Sequence, residues 1–396
     1  MVEIYFYFFS FLIIYTYFLY PIILLILRIF FNNPVNKKDI TPSVSLVITA
    51  YNEEKNIREK IENSLRLDYP KDKLEIIIAS DCSTDTTDEI IKGYEDRDIK
   101  LVRQQERRGK TAAQNNAVEH ANGEILVFSD APTIYKSDVL KKLVRNYYDL
   151  GVGCVTGEVI YRNETDSTMG EGGSLYWRYE SKIKQLESDI GSILGAAGCI
   201  YSMRRSLYTP FDENYLSDFV SPLKIVIENR SIDDDFITPL KIYVRGIRSI
   251  MEPEAISIEN TSKSIKEEFK MRSRVITRAI SGLLHMSRIL NPFKYPIYSF
   301  QLLSHKMLRW FVPVSMIIVF LLNLLLLDSK LFYLAFQLQS IFYILALIGF
   351  AVDQVGLTRI KVFFIPYYFC VVNLAVLWGI CKYITGRRDM LWTPAR

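Results

Sequence analysis

The stretch VSLVITAYNEE, residues 44–54, decides the fold. Its first half is a short, β-branched apolar run, which reads as a strand covered on both faces. Its second half turns polar at once and opens an amphipathic segment over Glu53–Leu65, a helix. The same alternation recurs downstream. LEIIIAS (74–80) precedes a helical segment from about Thr84 to Tyr94, a short strand at Lys100–Arg103 precedes a helix at Lys110–Ala121, and EILVFSD (124–130) precedes a helix at Ser137–Tyr148. Strands regularly exchanging with helices predict an α/β domain with a mostly parallel sheet.

Ligands of such sheets bind beyond the carboxyl ends of the strands, and acids gather there. Tyr51, Asn52 and Glu53 follow the first strand, Asp81 to Asp85 the second and Asp130 the fourth, while Arg107-Arg108-Gly109-Lys110 opens a helix beside them. Ser83 and Thr84 are also natural helix caps. A nucleoside diphosphate uses both signs, carboxylates for base and ribose and cations for phosphates. An acid there could also share Mg²⁺ with substrate phosphates. No GxGxxG or GxxxxGK[ST] occurs, so neither a dinucleotide fold nor a P-loop is supported.

Outward from this core the composition changes. Ile4–Leu27 is a 24-residue stretch without charge, and Trp310–Leu327, Leu331–Val352 and Val362–Cys381 are three more of 18, 22 and 20 residues. A hydrocarbon core takes about 20 helical residues. Of 92 charged residues, 81 lie in Arg28–Arg309, so the expectation is a membrane-anchored globular domain, not a porin-type barrel or a disordered chain. The first span reads as a retained anchor rather than a signal peptide, since no basic residue precedes it and no small-residue cleavage site follows. Arg28, Lys37 and Lys38 behind it place the body in the cytosol. Five scattered cysteines and three histidines without a CxxC imply neither a disulfide framework nor a zinc site. A net charge of +4 does not point to nucleic acid.

SLVITAYNEE, IIIASDCSTDTT, RRGKTAAQNNA and ILVFSDA, in that order, resemble an inverting family-2 glycosyltransferase with a GT-A fold. YWRYE (176–180), GSILGAAGCIYSMRR (191–205) and DDFITPLKI (234–242) extend the resemblance toward the membrane-embedded branch, the synthases of cellulose, hyaluronan and poly-N-acetylglucosamine. The resemblance implies an anchor at 1–31, a cytosolic transferase domain at 40–262, interfacial amphipathic segments at 263–309, membrane helices at 310–384 and a basic tail at 385–396. It implies that Tyr51 and Glu53 border the uracil, Asp81 binds the uridine, Lys110 approaches the diphosphate, and Asp130 is the metal-binding acid of a D-x-D motif, with Mg²⁺ or Mn²⁺ as cofactor. The second acid of that motif is replaced by Pro132. The Q-x-x-R-W signature of processive synthases is also incomplete: Arg274 holds the arginine position, but Met271 and Val275 replace glutamine and tryptophan. Trp177 and Tyr179 are candidates for the acceptor sugar, because aromatic faces suit pyranose rings.

The general base is expected as an acid opening a helix after the GAAG segment, and that element occurs twice. LSDFVSPLKIVIENRS (216–231) and DDDFITPLKIYVRGIRS (233–249) align at a spacing of 17, pairing Asp218 with Asp235. Asp235 is preferred because its copy keeps the acidic pair Asp234-Asp235 and the turn glycine Gly246 before RSIMEPEA, an expected edge strand; Asp218 is the alternative. The expected function is transfer of a sugar from a nucleotide sugar, read as a UDP-sugar, to a growing cell-surface polysaccharide or lipid-linked glycan. Single-sugar transfer to polyprenyl phosphate and a nucleotide-binding scaffold or transporter are the alternatives.

Overall fold

Eight strands among the described residues form one sheet in the order β3-β2-β1-β4-β7-β6-β8-β5. They are β1 Val44–Ala50, β2 Leu74–Ser80, β3 Ile99–Arg103, β4 Ile125–Asp130, β5 Ile134–Tyr135, β6 Val152–Arg162, β7 Ile200–Arg204 and β8 Arg248–Asn260. The computed structural model describes residues 1–162, 168–209, 234–260, 264–285, 287–355 and 360–386, with the backbone alone at 168–175, 234–235 and 285.

The first four strands are parallel, as the alternation predicts. Their register sets Ala50 beside Ser80, Ser80 beside Arg103, and Thr49 beside Asp130, so all four finish at one level. Beyond β4 the sheet is mixed: β7 runs antiparallel to both β4 and β6, and β8 is parallel to β6 but antiparallel to β5. RSIMEPEA, expected as an edge strand, is the first part of β8 and pairs with β6 alone; β5 covers β8 only beyond it, at Ser257 and Ile258. Opposite Gly157 and Glu158 the register of β8 jumps from Glu252 to Ile256, so Pro253, Glu254 and Ala255 leave the ladder. Proline belongs at such a bulge because it has no N–H to donate. Gly157 lies directly under it, where a Cβ would strike the Ala255 carbonyl and the Ile200 side chain.

Helices α2 Ile57–Leu65, α3 Thr87–Lys92, α4 Lys110–Glu119 and α5 Val139–Val144 cover the sheet, while α1 Val2–Phe31 precedes it. Leu46 and Ile48 face one layer with Ile57 and Ile61. Val47 faces the other with Ala113 and Ala117, small residues that let α4 lie close to the strands. Then come α6 Thr168–Ile190, α7 Asp234–Val244, α8 Ile265–His285, α9 Pro296–Leu324, α10 Lys330–Val355 and α11 Lys361–Ile384.

Helices α1, α9, α10 and α11 are long and apolar enough to cross a membrane. Residues 296–309, expected as interfacial, run continuously into the second of these as part of α9. Helices α1 and α9 each contain a wider π turn, at Tyr15–Leu19 and Leu302–Met307, and the two turns meet where Tyr15 Oη and Ser304 Oγ share a hydrogen bond of 2.8 Å. From the α/β body, α6 packs into this junction. Its Glu180 pairs with His305 Nε2 at 3.0 Å, Lys306 Nζ at 3.2 Å and Arg309 Nη1 at 2.7 Å. Its Glu187 accepts from Tyr20 Oη at 2.7 Å and meets His305 Nδ1 at 2.7 Å.

Candidate active site

The aligned strand ends bring together Tyr51, Glu53, Asp81, Lys110 and Asp130. Asn52, at φ +53°, turns the chain sharply after β1, and the loops after β1 and β2 are laced to each other. The Thr84 N–H donates to Asn52 Oδ1 at 2.8 Å, the Glu53 N–H to Thr87 Oγ1 at 2.8 Å, and the Asn52 N–H to Ser83 Oγ at 3.2 Å. Ser83 and Thr84 thus tie two loops rather than cap a helix. Glu53 is 4% exposed, and its Oε2 accepts from Asn56 Nδ2 at 2.6 Å.

Asp81 is wholly buried and accepts the backbone N–H groups of Arg108 and Gly109 at 2.9 and 3.0 Å. Burial pushes its carboxyl above the ordinary value, against the pull of those two amides and of Arg107. Asp81 therefore shapes the Arg107–Lys110 loop. Gly109, at φ +95°, lets that loop turn into α4, a conformation that side chains with a Cβ rarely adopt. The loop in turn sets the Arg107 guanidinium over the Tyr51 ring, 3.8 Å from its centroid, making a flat, cationic ledge.

Lys110, the first residue of α4, reaches across to the end of β4. Its Nζ lies 2.6 Å from Asp130 Oδ1 and donates to the Gly198 carbonyl at 3.2 Å, which places the GAAG loop on the same crevice. The turn after Asp130 is closed by the Thr133 N–H donating to the Asp130 carbonyl at 3.2 Å. Among the described residues no three His, Cys, Asp or Glu side chains converge as a metal site. A hard divalent cation fits the donors present, because Mg²⁺ keeps waters and substrate phosphates around one or two carboxylates. Lys110 is the cation that Asp130 holds here.

Three residues at the crevice escaped the reading of the sequence. Lys60 is completely buried beneath the Asp130 turn, donating to Ser129 Oγ at 2.7 Å and to the Thr133 carbonyl at 2.6 Å, with its Nζ 3.9 Å from the Tyr135 ring centroid. Burial pulls it down to about 7, while Asp130, Cys199 and Glu259 pull the other way. Glu259, at the end of β8, is pushed up by burial and by the charge of Asp130. Burial pushes the Cys199 thiol up as well. Lys60 does carry a signal, since it occupies the core-facing stripe of α2 with Ile57, Ile61 and Ser64. Glu259 carries none, because only long-range pairing brings it here.

The other expected site residues stand elsewhere or lie beyond description. Trp177 packs against Tyr161 with ring centroids 5.3 Å apart, and the Tyr179 hydroxyl donates to the Tyr17 carbonyl of α1 at 2.8 Å. Both contacts join α6 to its neighbours. Arg274 is half-buried on α8, which packs along α11. Asp235 is the second residue of α7, whose Phe236, Ile237 and Leu240 pack with Tyr298 and Leu302 of α9. Asp218 falls outside the described residues.

Residues 45–209 match the sequence family described as glycosyl transferase family 2. The chain carries a family-2 glycosyltransferase domain. The chain is 28% identical over 248 residues to the poly-beta-1,6-N-acetyl-D-glucosamine synthase of Staphylococcus aureus, covering 61% of this chain and 56% of the relative. It thus spans about half the length of that relative. It is 30% identical over 142 residues to the glycosyltransferase AglE of Haloferax volcanii, covering 35% of this chain and 45% of the other. A mannosyltransferase from Pyrobaculum calidifontis, solved in complex with GDP-Man and Mn²⁺, superposes with a TM-score of 0.70 at 21% identity, covering 97% of this chain and 99% of that one. That likeness shows the fold, a GT-A transferase arrangement.

Proposed function

We propose that this glycosyltransferase is membrane-bound and inverting, and that it moves a sugar from a UDP-sugar to a growing polysaccharide or lipid-linked glycan. The observation that carries this reading is the meeting of Lys110 and Asp130, 2.6 Å apart, at the level where four parallel strands end beside the Arg107–Tyr51 ledge. The ledge offers a cation and an aromatic face to a nucleobase. Asp81 holds the loop that presents it. Lys110, released from Asp130, turns its ammonium to the diphosphate. A bound Mg²⁺ or Mn²⁺, held by Asp130 and the phosphates, would neutralise charge gathering on the leaving group.

Asp235, at the start of α7, is the proposed base. It takes the proton from an acceptor hydroxyl, which attacks the anomeric carbon from the face opposite the nucleotide, and general-base help of this kind contributes about 10²–10⁴-fold. One displacement inverts the anomer. The S. aureus relative, a poly-beta-1,6-N-acetyl-D-glucosamine synthase by name, favours a polymeric product. The basic flank of Arg28, Lys37 and Lys38 favours the cytosolic side for the domain.

Sizing the product that purified protein makes from radiolabelled UDP-sugar tests the reading. Long glycans support polymerisation. A lipid carrying one sugar moves the assignment to polyprenyl-phosphate transfer, which the incomplete Q-x-x-R-W favours. Absence of transfer from any nucleotide sugar defeats the proposal.

A further inference from the structure

The D-x-D motif loses its second acid to Pro132, yet a carboxylate reaches the same turn from another strand. Strand β5 pairs antiparallel with the end of β8, Ile134 opposite Ile258 and Tyr135 opposite Ser257. One step further along that register, Thr133 stands opposite Glu259, and Thr133 Oγ1 donates to Glu259 Oε1 at 2.5 Å. The tight turn from Asp130 to Thr133 folds Asp130 back toward this pair. We propose that Glu259 supplies the second carboxylate of the cation site, from β8 instead of from the D-x-D position.

Two further observations support this placement. The charge of Asp130 acts on Glu259, and both acids act on Lys60 and on Cys199, so they border one small volume. That volume already holds a cation, the Lys110 ammonium, bridging Asp130 Oδ1 and the Gly198 carbonyl. When Lys110 turns to a phosphate, Asp130 gives up the ammonium it holds here, and its charge and that of Glu259 are left at this volume. Two carboxylates plus phosphate oxygens and water suit an octahedral divalent ion. The competing account is that Glu259 only anchors the Thr133 turn.

The inference rests on the metal-assisted reading above, and Mn²⁺ binding separates the two. The full chain in nanodiscs is titrated with Mn²⁺ in the presence of UDP, and free Mn²⁺ is read by electron paramagnetic resonance. Glu259→Gln is expected to weaken Mn²⁺ binding by about tenfold or more, since even outer-shell partners cost 10–100-fold. UDP binding measured in EDTA should not change. Thr133→Val removes the hydrogen bond but not the charge and should cost less Mn²⁺ affinity than Glu259→Gln, while Glu259→Asp, which keeps a carboxylate, should bind Mn²⁺ more tightly than Glu259→Gln. Unchanged affinity in Glu259→Gln, an equal loss in Thr133→Val, or Glu259→Asp no tighter than Glu259→Gln overturns the inference. If Asp130→Asn also binds Mn²⁺ as the wild type does, the metal reading itself falls, and this inference with it.

Discussion

Replacing Lys60 by methionine should change how stability depends on pH, by an amount the structure allows to be worked out. Lys60 is fully buried, and burial lowers it from an ordinary 10.5 to about 7. Between those values the unfolded chain holds the proton and the folded chain has released it. Unfolding free energy then rises with pH, because the unfolded state binds more protons. Below about pH 7 both states are protonated, and the penalty for a buried ammonium is present in full. Integrating from pH 7 to pH 9 gives the wild type about 2 kcal/mol relative to Lys60→Met, where a full proton is worth about 1.4 kcal/mol per pH unit. For a domain of this size that is about 4–8 °C in Tm. Thermal unfolding of both proteins in the same detergent, at steps from pH 6 to pH 9, reads the difference, and titrating groups remote from Lys60 cancel. The loss of the donors to Ser129 and Thr133 shifts the whole Lys60→Met curve without tilting it. A Tm gap that stays constant from pH 6 to pH 9 would refute a lowered Lys60.

Gly157→Ala should cost about 1–3 kcal/mol, the usual range for overpacking, because the added Cβ strikes the Ala255 carbonyl and Ile200; an unchanged Tm would contradict the bulge geometry. Asp81→Ala leaves the Arg108 and Gly109 amides without their acceptor, so calorimetry should show weaker UDP binding together with a small loss of stability. Asp235→Asn should abolish sugar transfer while UDP binding persists, and Asp218→Asn should leave transfer intact. A dead Asp218→Asn beside an active Asp235→Asn would move the base to the first copy.

Local patterns in the sequence carried the first half of the sheet. Short apolar runs ending in Ala50, Ser80 and Asp130 could only be buried parallel strands, and strands that start and stop alike place Asp81, Lys110 and Asp130 at one edge. The second half depends on pairings between distant residues. A two-residue strand such as β5 has no period to detect, and its partner lies more than a hundred residues away, so Glu259 stayed invisible at the site it borders. The start of α9 was hidden for a related reason. His305, Lys306 and Arg309 break its hydropathy, and the carboxylates that make them tolerable, Glu180 and Glu187, are supplied by α6, 118 to 129 residues earlier. Trp177 and Tyr179 suggested a sugar platform by residue type alone; their contacts join α6 to β6 and α1.

The meeting of α6 with α1 and α9 bears on how the enzyme can be handled and how it meets its acceptor. Glu180 and Glu187 find their partners on the long apolar helices α1 and α9, and Arg28 of α1 adds a further ion pair to Asp189 at 2.9 Å. A fragment cut free of those helices would carry two bare carboxylates on a face built to be dry, and stripping the partners from a buried ion pair costs about 3–5 kcal/mol. Such a fragment is expected to aggregate rather than to serve as a minimal catalyst. If α1 and α9 cross a bilayer, as proposed, the same pairs would hold the crevice at one fixed height above it, and a lipid-tethered acceptor, itself confined to that surface, would need to search only two dimensions to reach it.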